Sequence, residues 1–394
     1  MTRSVAIVGG GIAGLLTGHL LQRDGHRVTL LSEQRPDDLR NGPIISTQCV
    51  FGPRLRPERG AGLAFWDDTA PVIANGRLSI WLEKQCVLDW SDALLDSPAQ
   101  SVDHRMKLAT WMEALNDADG ATVQHRTVDQ IALEALTAEH DLVLVATGRG
   151  CELFRRNDEL SQHTEPQRQI AAVYLRVPDH AGDVDTIRWS IVPGAGELLV
   201  VPALTFTGPC HAVVVEALPG GPWDVWRDRP RSGELWERIR ELLRDVPREH
   251  EALAGRTLTD DRAALSGAIT PIVRHPVAVL PSGRAVLGLG DAVVTNDPLT
   301  ASGANSAVTA AAMHAAATTE HTGAFDAEWM QRTHDAWWTA PGGGRDATTV
   351  ANTMLNPPPQ LLERLLSSTN DHATLRKFTG IIETAEDTDW LLSP

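Results

Sequence analysis

The sequence predicts an α/β fold in two parts: a mostly parallel sheet covered by helices and assembled from separated stretches of chain, and a smaller antiparallel sheet, with helices at the C-terminal end. Three observations lead there. Ser4 to Val8 is a short, nearly continuous apolar run, as expected of a strand buried on both faces, and it opens directly into Gly9-Gly10-Gly11-Ile12-Ala13-Gly14 and a helical pattern. Two more apolar runs, in His140–Gly148 and Arg284–Gly290, end in glycine turns much later in the chain. Between them, Gln169 to Leu218 carries short alternating strands, the pattern of an antiparallel sheet. A chain of 394 residues suffices for two to three folding units of roughly 150 residues each, and for a large core without disulfides or structural metal.

Taken in order, Ile12, Leu15, Leu16, Leu20 and Leu21 are spaced to face a sheet, and Asp24-Gly25 ends that helix. Arg27 to Leu31 then reads as a second strand closing at Ser32-Glu33, which completes one βαβ unit. Asn41 to Pro98 is rich in Gly, Pro and Trp and has no clear period. Val102 to Asn116 returns to helix spacing, and Glu197–Ala203 and His211–Glu216 are among the alternating strands. Ser232 to Arg244 predicts a helix, and a long helix follows from about Gly303 to Thr318. The tail from Asp326 is helical, broken at Pro341–Gly344 and Pro357–Pro359.

Charge and cysteine usage narrow the function classes. Subtracting 51 Asp+Glu from 35 Lys+Arg leaves a net charge of −16, which repels phosphate backbones and argues against nucleic acid or an anionic membrane as partner. No apolar run reaches the length of a membrane span, and Met1-Thr2-Arg3 leads straight into a strand rather than a secretion signal. Cys49, Cys86, Cys151 and Cys210 form no C-x-x-C pair and His104, His211, His275 and His314 no metal spacing, so no metal is expected; a reducing cytoplasm is the expected setting.

Gly9-x-Gly11-x-x-Gly14 opens a helix directly after a strand, and Glu33 lies 19 residues beyond Gly14. Such glycines permit a tight turn and close approach of a pyrophosphate to the positive end of the helix, while an acid at the end of the second strand can accept hydrogen bonds from a ribose. A dinucleotide is expected here. Asp291, at the end of the Gly288-Leu289-Gly290 strand, could hydrogen-bond the ribityl chain of a flavin, with the helix N-terminus near Gly303 stabilising negative charge on a reduced ring. Read from spacing alone, the same residues could also be a strand-to-helix turn with a capping Asp.

The N-terminal glycine motif, the Asp141-to-Gly148 strand with its Ala146-Thr147-Gly148 end, and G-L-G-D…D-P…G-A-N (Gly288–Asp291, Asp297-Pro298, Gly303–Asn305) together resemble the FAD-dependent aromatic monooxygenases. Val102-Asp103-His104-Arg105 is similar to the V-D-Y-R of the two-component styrene and indole monooxygenases, and Pro193–Leu198 and Val201–Phe206 are similar to strands of their substrate domain. The resemblance covers about Ser4 to Thr318 and implies a fold of the glutathione reductase/p-hydroxybenzoate hydroxylase type. Residues 1–50, 99–165 and 265–320 would form a discontinuous FAD-binding domain, 51–98 and 166–264 the substrate domain, and 321–394 a C-terminal helical region. It further implies reduced FAD delivered by a separate NAD(P)H-dependent flavin reductase, reaction with O2 to a C4a-hydroperoxide, and epoxidation of an aromatic alkene; a homodimer is compatible with it.

By the same resemblance Gly9, Gly11, Ile12, Ala13, Gly14, Glu33, Arg105, Thr147, Gly148, Asp291, Pro298, Gly303, Ala304 and Asn305 would hold FAD, and Ser46, Gln48, Ile73 and Ala99 would line the substrate pocket, with no essential acid–base residue. Ser46 and Gln48 follow the indole branch rather than the styrene branch, and a Gln amide can accept an indole N–H, so indole is the expected substrate and styrene the alternative. Leu299-Thr300-Ala301-Ser302 departs from the family's Gly-Gln at the flavin ring. A flavin-dependent halogenase or tailoring monooxygenase would need a lysine beside a tunnel, for which Lys84 and Lys107 are the candidates. A non-catalytic flavin-fold escort protein would have no use for the late G-L-G-D and G-A-N.

Overall fold

The computed structural model describes residues 1–46, 49–178, 185–368 and 371–393. Strands β1 (Ser4–Val8) and β2 (Arg27–Ser32) flank the helix Ile12–Arg23, and a long hairpin follows as β3 (Ile73–Leu82) and β4 (Gln85–Ala99). After the helix His104–Asn116 come β5 (Ala121–His125) and β6 (Leu142–Val145), then β7 (Arg168–Arg176), β8 (Thr186–Val192), β9 (Gly196–Thr205), β10 (Gly208–Ala217) and β11 (Ala264–Ile269). The short strands β12 (Ile272–Val273), β13 (Val277–Val279), β14 (Ala285–Gly288) and β15 (Val294–Thr295) lead into the helix Ser302–Glu320.

One sheet has the order β13-β14-β6-β1-β2-β5, and every neighbouring pair except β13–β14 is parallel. Its apolar runs are continuous because both faces are covered. Val5, Ile7, Leu30 and Leu144 pack beneath the helices Ile12–Arg23, His104–Asn116 and Ser302–Glu320. Ala6, Val8, Leu31 and Val145 point the other way, against Leu133 and Leu136 of the helix Gln130–Glu139 and against Trp337. The second sheet runs β11-β7-β10-β9-β8-β3-β4, antiparallel except where β3 meets β8. Its outer face (Val173, Val200, Val213, Val215) is sealed by Trp223, Trp226 and Trp236. Its inner face (Ile170, Val201, Ala212, Val214) looks toward the first sheet.

Two expectations need correction. The second sheet does not stop at residue 264: β11 pairs with β7 from Ala264↔Val173 to Ile269↔Arg168, so 265–269 belongs to it. The small-residue run Ala-Leu-Ser-Gly-Ala-Ile has weak strand propensity, and only its pairing partner defines it. Nor is 41–98 irregular throughout, since it contains the β3–β4 hairpin. That hairpin has register shifts at Ile73/Asn75, Gly76/Leu78 and Ile80/Trp81, which break a period of two. Its two-residue turn is Glu83-Lys84, both at positive φ (48° and 65°), so the residues that usually signal such a turn are missing.

The C-terminal helices divide between the two sheets. Trp329 and Met330 of the helix Ala327–Thr339 join the core of the first sheet. Val350 and Met354 of the helix Gly344–Leu355 and Leu375, Phe378 and Ile381 of the helix His372–Thr384 pack instead on Leu78, Leu88 and Trp90 of the hairpin.

Candidate active site

A cleft of about 430 Å³ lies between the two sheets, at the C-terminal ends of the parallel strands. That is where an open α/β sheet offers helix N-termini and loops to a ligand. Gly11, Ile12, Ala13, Gly148, Asp291, Pro298, Gly303, Ala304 and Ser46 all line it, gathered from widely separated parts of the chain. The glycines divide the task. A Cβ on Gly14 would stand 2.1 Å from the Gly9 carbonyl oxygen, and one on Gly9, whose φ is +125°, would stand 2.2 Å from the Ala146 carbonyl oxygen. These two glycines hold helix and strands together. A Cβ on Gly11 or on Gly303 would meet no neighbouring atom within 4 Å and would project into the open space of the cleft. A cradle with open backbone N–H groups at two helix N-termini fits an anionic dinucleotide.

Other expected residues sit around this cradle. Glu33 is exposed just past β2, beside the Gly9 N–H that donates to the Leu31 carbonyl at 2.8 Å. Thr147 is exposed between Ala146 and Gly148, both of which line the cleft. Asn305 is occupied within the protein: its Oδ1 accepts the Phe51 N–H at 3.0 Å, and its Nδ2 donates to the Cys49 and Ala301 carbonyls at 2.9 Å each. It clips the segment leading into the hairpin to the long helix. Arg105 is buried, donating to Asp103 at 2.7 Å and to both oxygens of Asp260 at 2.9 and 3.1 Å, so it ties the helix His104–Asn116 to the segment leading into β11 and is absent from the cleft lining. Its neighbour His104, set aside in the sequence, lines the cleft instead. Ile73 and Ala99 are register partners, 0% and 2% exposed, that back the site from the core. Gln48 lies outside the described residues.

Burial governs the electrostatics. It depresses His104 to about 3, with Lys107 adding to the effect, so the ring is neutral at working pH and its Nε2 has no partner among the described residues. Burial raises Asp291, against the opposing pull of Arg149 and Arg274, and it raises Asp297 to about 6, against Arg168 and the Leu299 N–H. Glu216, on the floor of the cleft, is raised by burial with Asp297 and Glu197 reinforcing. Cys49 is pushed up to about 12 and behaves as an apolar wall atom. Glu216 belongs to no motif, and His104 stands within V-D-H-R where the resembled motif has Tyr; only the fold brings the two to one cleft.

A second cavity of about 110 Å³ opens beyond the Leu299–Ala301 loop. It shares Cys49, Leu199, Val201 and Ala301 with the cleft, and Leu78, Trp90, Ile187, Phe378 and Ile382 complete an apolar wall. Ala301 itself is left-handed (φ 54°, ψ 17°) at the start of the long helix.

Residues 147–251 match the family of styrene monooxygenase A substrate binding domains, and residues 7–37 match an NAD(P)-binding Rossmann-like domain. Over 323 residues the chain is 27% identical to the styrene monooxygenase StyA of Pseudomonas fluorescens, covering 79% of this chain and 76% of that one. The chain is an FAD-dependent monooxygenase similar to the styrene monooxygenases. The StyA of a second Pseudomonas species matches at the same identity and coverage. In architecture the chain superposes on the p-nitrophenol 4-monooxygenase PnpA of Pseudomonas putida DLL-E4 with a TM-score of 0.66 at 15% identity, over 98% of each chain. A Cytophaga hutchinsonii flavoprotein/dehydrogenase gives 0.66 at 12% identity, over 98% of this chain and 93% of that one. The profile match over 147–251 takes in β7 to β10, whose inner face walls both cavities of this monooxygenase. Among the described residues no helix is long and apolar enough to cross a membrane, and no three His, Cys, Asp or Glu side chains are grouped to hold a metal ion.

Proposed function

We propose that this chain is the oxygenase component of a two-component monooxygenase: it receives reduced FAD from a separate NAD(P)H-dependent flavin reductase and epoxidises an aromatic alkene, with indole at its 2,3-bond as the favoured substrate and styrene as the alternative. The observation that carries this reading is the apolar cavity that adjoins the dinucleotide cleft at the Leu299–Ala301 loop. When bound, the reduced flavin supplies the activation of O2 and the transfer of one oxygen atom. The protein's part is to bind, orient and keep the site dry. Gly11 and the helix behind it hold the pyrophosphate, Glu33 the ribose and Asp291 the ribityl chain, while Pro298, Gly303 and Ala304 border the ring. Leu199, Val201, Trp90 and Phe378 exclude the water that would divert oxygen to hydrogen peroxide. Ser46, on the cleft wall, meets the substrate's edge.

The separate reductase is supported by the single G-x-G-x-x-G unit in the sequence and by the styrene monooxygenase relatives. A halogenase is disfavoured because neither cavity is lined by a lysine. Lys107 is buried against Glu58 at 2.6 Å, Lys84 sits in the exposed hairpin turn, and Lys377 pairs with Asp387. The test is product analysis with indole, FAD, NADH and a generic flavin reductase, with and without this chain. Blue pigment that requires both proteins is expected. Reductase-level background with both indole and styrene would refute the assignment.

A further inference from the structure

The second cavity holds one feature that a hydrocarbon substrate does not call for. Glu383, in the last turn of the helix His372–Thr384, is 2% exposed and lines this cavity. Its Oε1 accepts the Asp96 N–H at 3.3 Å, while its Oε2 has no hydrogen-bond partner among the described residues. Among the described residues no cation compensates it. Arg77, also on the wall, is engaged by both oxygens of Asp89 at 2.9 and 2.7 Å, and the charge acting on Glu383 is that of Asp96, of its own sign. A carboxyl oxygen buried without a partner is expensive, and folds keep one where something else will pair with it.

Resting on the oxygenase reading above, we infer that Glu383 is the hydrogen-bond acceptor by which this site selects a flat aromatic substrate carrying a ring N–H over its hydrocarbon isostere. Three properties of the cavity specify that donor. At about 110 Å³ it is of the same order as the roughly 150 Å³ engineered cavity that takes up a benzene ring. Its wall includes the edge-to-face pair of Trp90 and Phe378, 6.1 Å between centroids, which suits a planar ring. An ammonium group would lose its hydration for a single carboxyl in an apolar cage, whereas a neutral ring N–H has little hydration to lose. Burial lifts Glu383 to about 7, with the Asp96 and Ser97 N–H groups opposing, so an incoming donor meets a group that is part ionised at neutral pH. The Trp90 and Trp189 Nε1 atoms are also unpartnered, but as donors they cannot serve an N–H.

Indole and indene share one bicyclic shape and differ by N–H against CH2, so they form the test. Their dissociation constants are measured by titration of the unreduced protein, and their kcat/KM ratio in the reductase-coupled assay, for wild type, Glu383→Met and Glu383→Gln. Intrinsic reactivity cancels when the ratio is compared between proteins. Wild type should bind indole roughly ten- to a hundredfold more tightly than indene, Met should bring the two within about threefold, and Gln, which keeps an acceptor, should restore most of the preference. Equal binding of the two by wild type, which needs no variant to fold, overturns the inference, as does a Met variant with the wild-type ratio. Preferential indole binding with no oxygenation of either compound upholds Glu383 and refutes the oxygenase reading. Oxygenation of both without a preference refutes Glu383 alone.

Discussion

Gly11 and Gly14 share a motif yet answer to different constraints, which separates binding from folding. Gly11 has ordinary φ and ψ (−83° and −177°) and no protein atom within 4 Å of an added Cβ, so Gly11→Ala should melt within about 1 kcal/mol of wild type. Its methyl group would nevertheless enter the pyrophosphate position, and FAD affinity should fall at least about tenfold in a fluorescence titration. Unchanged affinity would remove the pyrophosphate from this helix. Gly14→Ala, with 2.1 Å to the Gly9 carbonyl, should instead lose several kcal/mol of stability in a melt. At Ala301 the argument runs the other way. An L-residue in the left-handed region is strained by about 1–2 kcal/mol, so Ala301→Gly, the residue type the family carries there, should melt no lower than wild type. A clear loss of stability would mean that the Ala301 methyl contributes more by packing than its backbone loses.

The helix Ser302–Glu320 fixes the site through Asn305 more than through its dipole. Asn305 joins Phe51, Cys49 and Ala301 in one buried set of hydrogen bonds. Asn305→Ala strands two of those backbone groups, and a loss of about 1–3 kcal/mol is expected in denaturant titration, with faster release of bound FAD in stopped flow. Wild-type stability would show that water substitutes for the side chain. Elements differ in how legible they are in the sequence. The β1–helix–β2 unit is readable because apolar periodicity, glycine punctuation and a terminal acid agree over one short stretch. The β3–β4 hairpin is not, because its bulges cancel the period of two and Glu83-Lys84 makes the turn without Gly or Asn. Arg105 shows the same limit for a side chain. V-D-H-R marks the helix start, but only the fold reveals that Asp260 engages the guanidinium and leaves His104 at the cleft.

Across the whole molecule, the two sheets, the cleft between them and the late-returning strands were legible, whereas the closure of the second cavity by the C-terminal helices was not. The tail reads as helix, but nothing in its spacing says that Phe378 and Glu383 meet Trp90, more than 280 positions away, and the Leu299–Ala301 loop, about 80 positions away. Global stability should depend on pH through buried histidines at the seam of the helices Ser302–Glu320 and Ala327–Thr339. Burial depresses His334 to about 3, with His314 reinforcing. The folded value lies below the unfolded 6.5, so its contribution is complete above that pH and is lost as pH falls toward 3. Between pH 7 and pH 5 wild type should therefore lose about 2 kcal/mol more than His334→Phe, measured by denaturant melts at both pH values; parallel losses would refute a neutral buried ring. The oxygenase claim itself is tested most directly by a single turnover, in which photoreduced FAD and the protein, free of reductase and nicotinamide, are mixed with indole or styrene and ¹⁸O₂. An oxygenated product carrying one ¹⁸O, in an amount set by the reduced FAD supplied, is the predicted result. Reoxidation of the flavin to hydrogen peroxide alone with both substrates would contradict it.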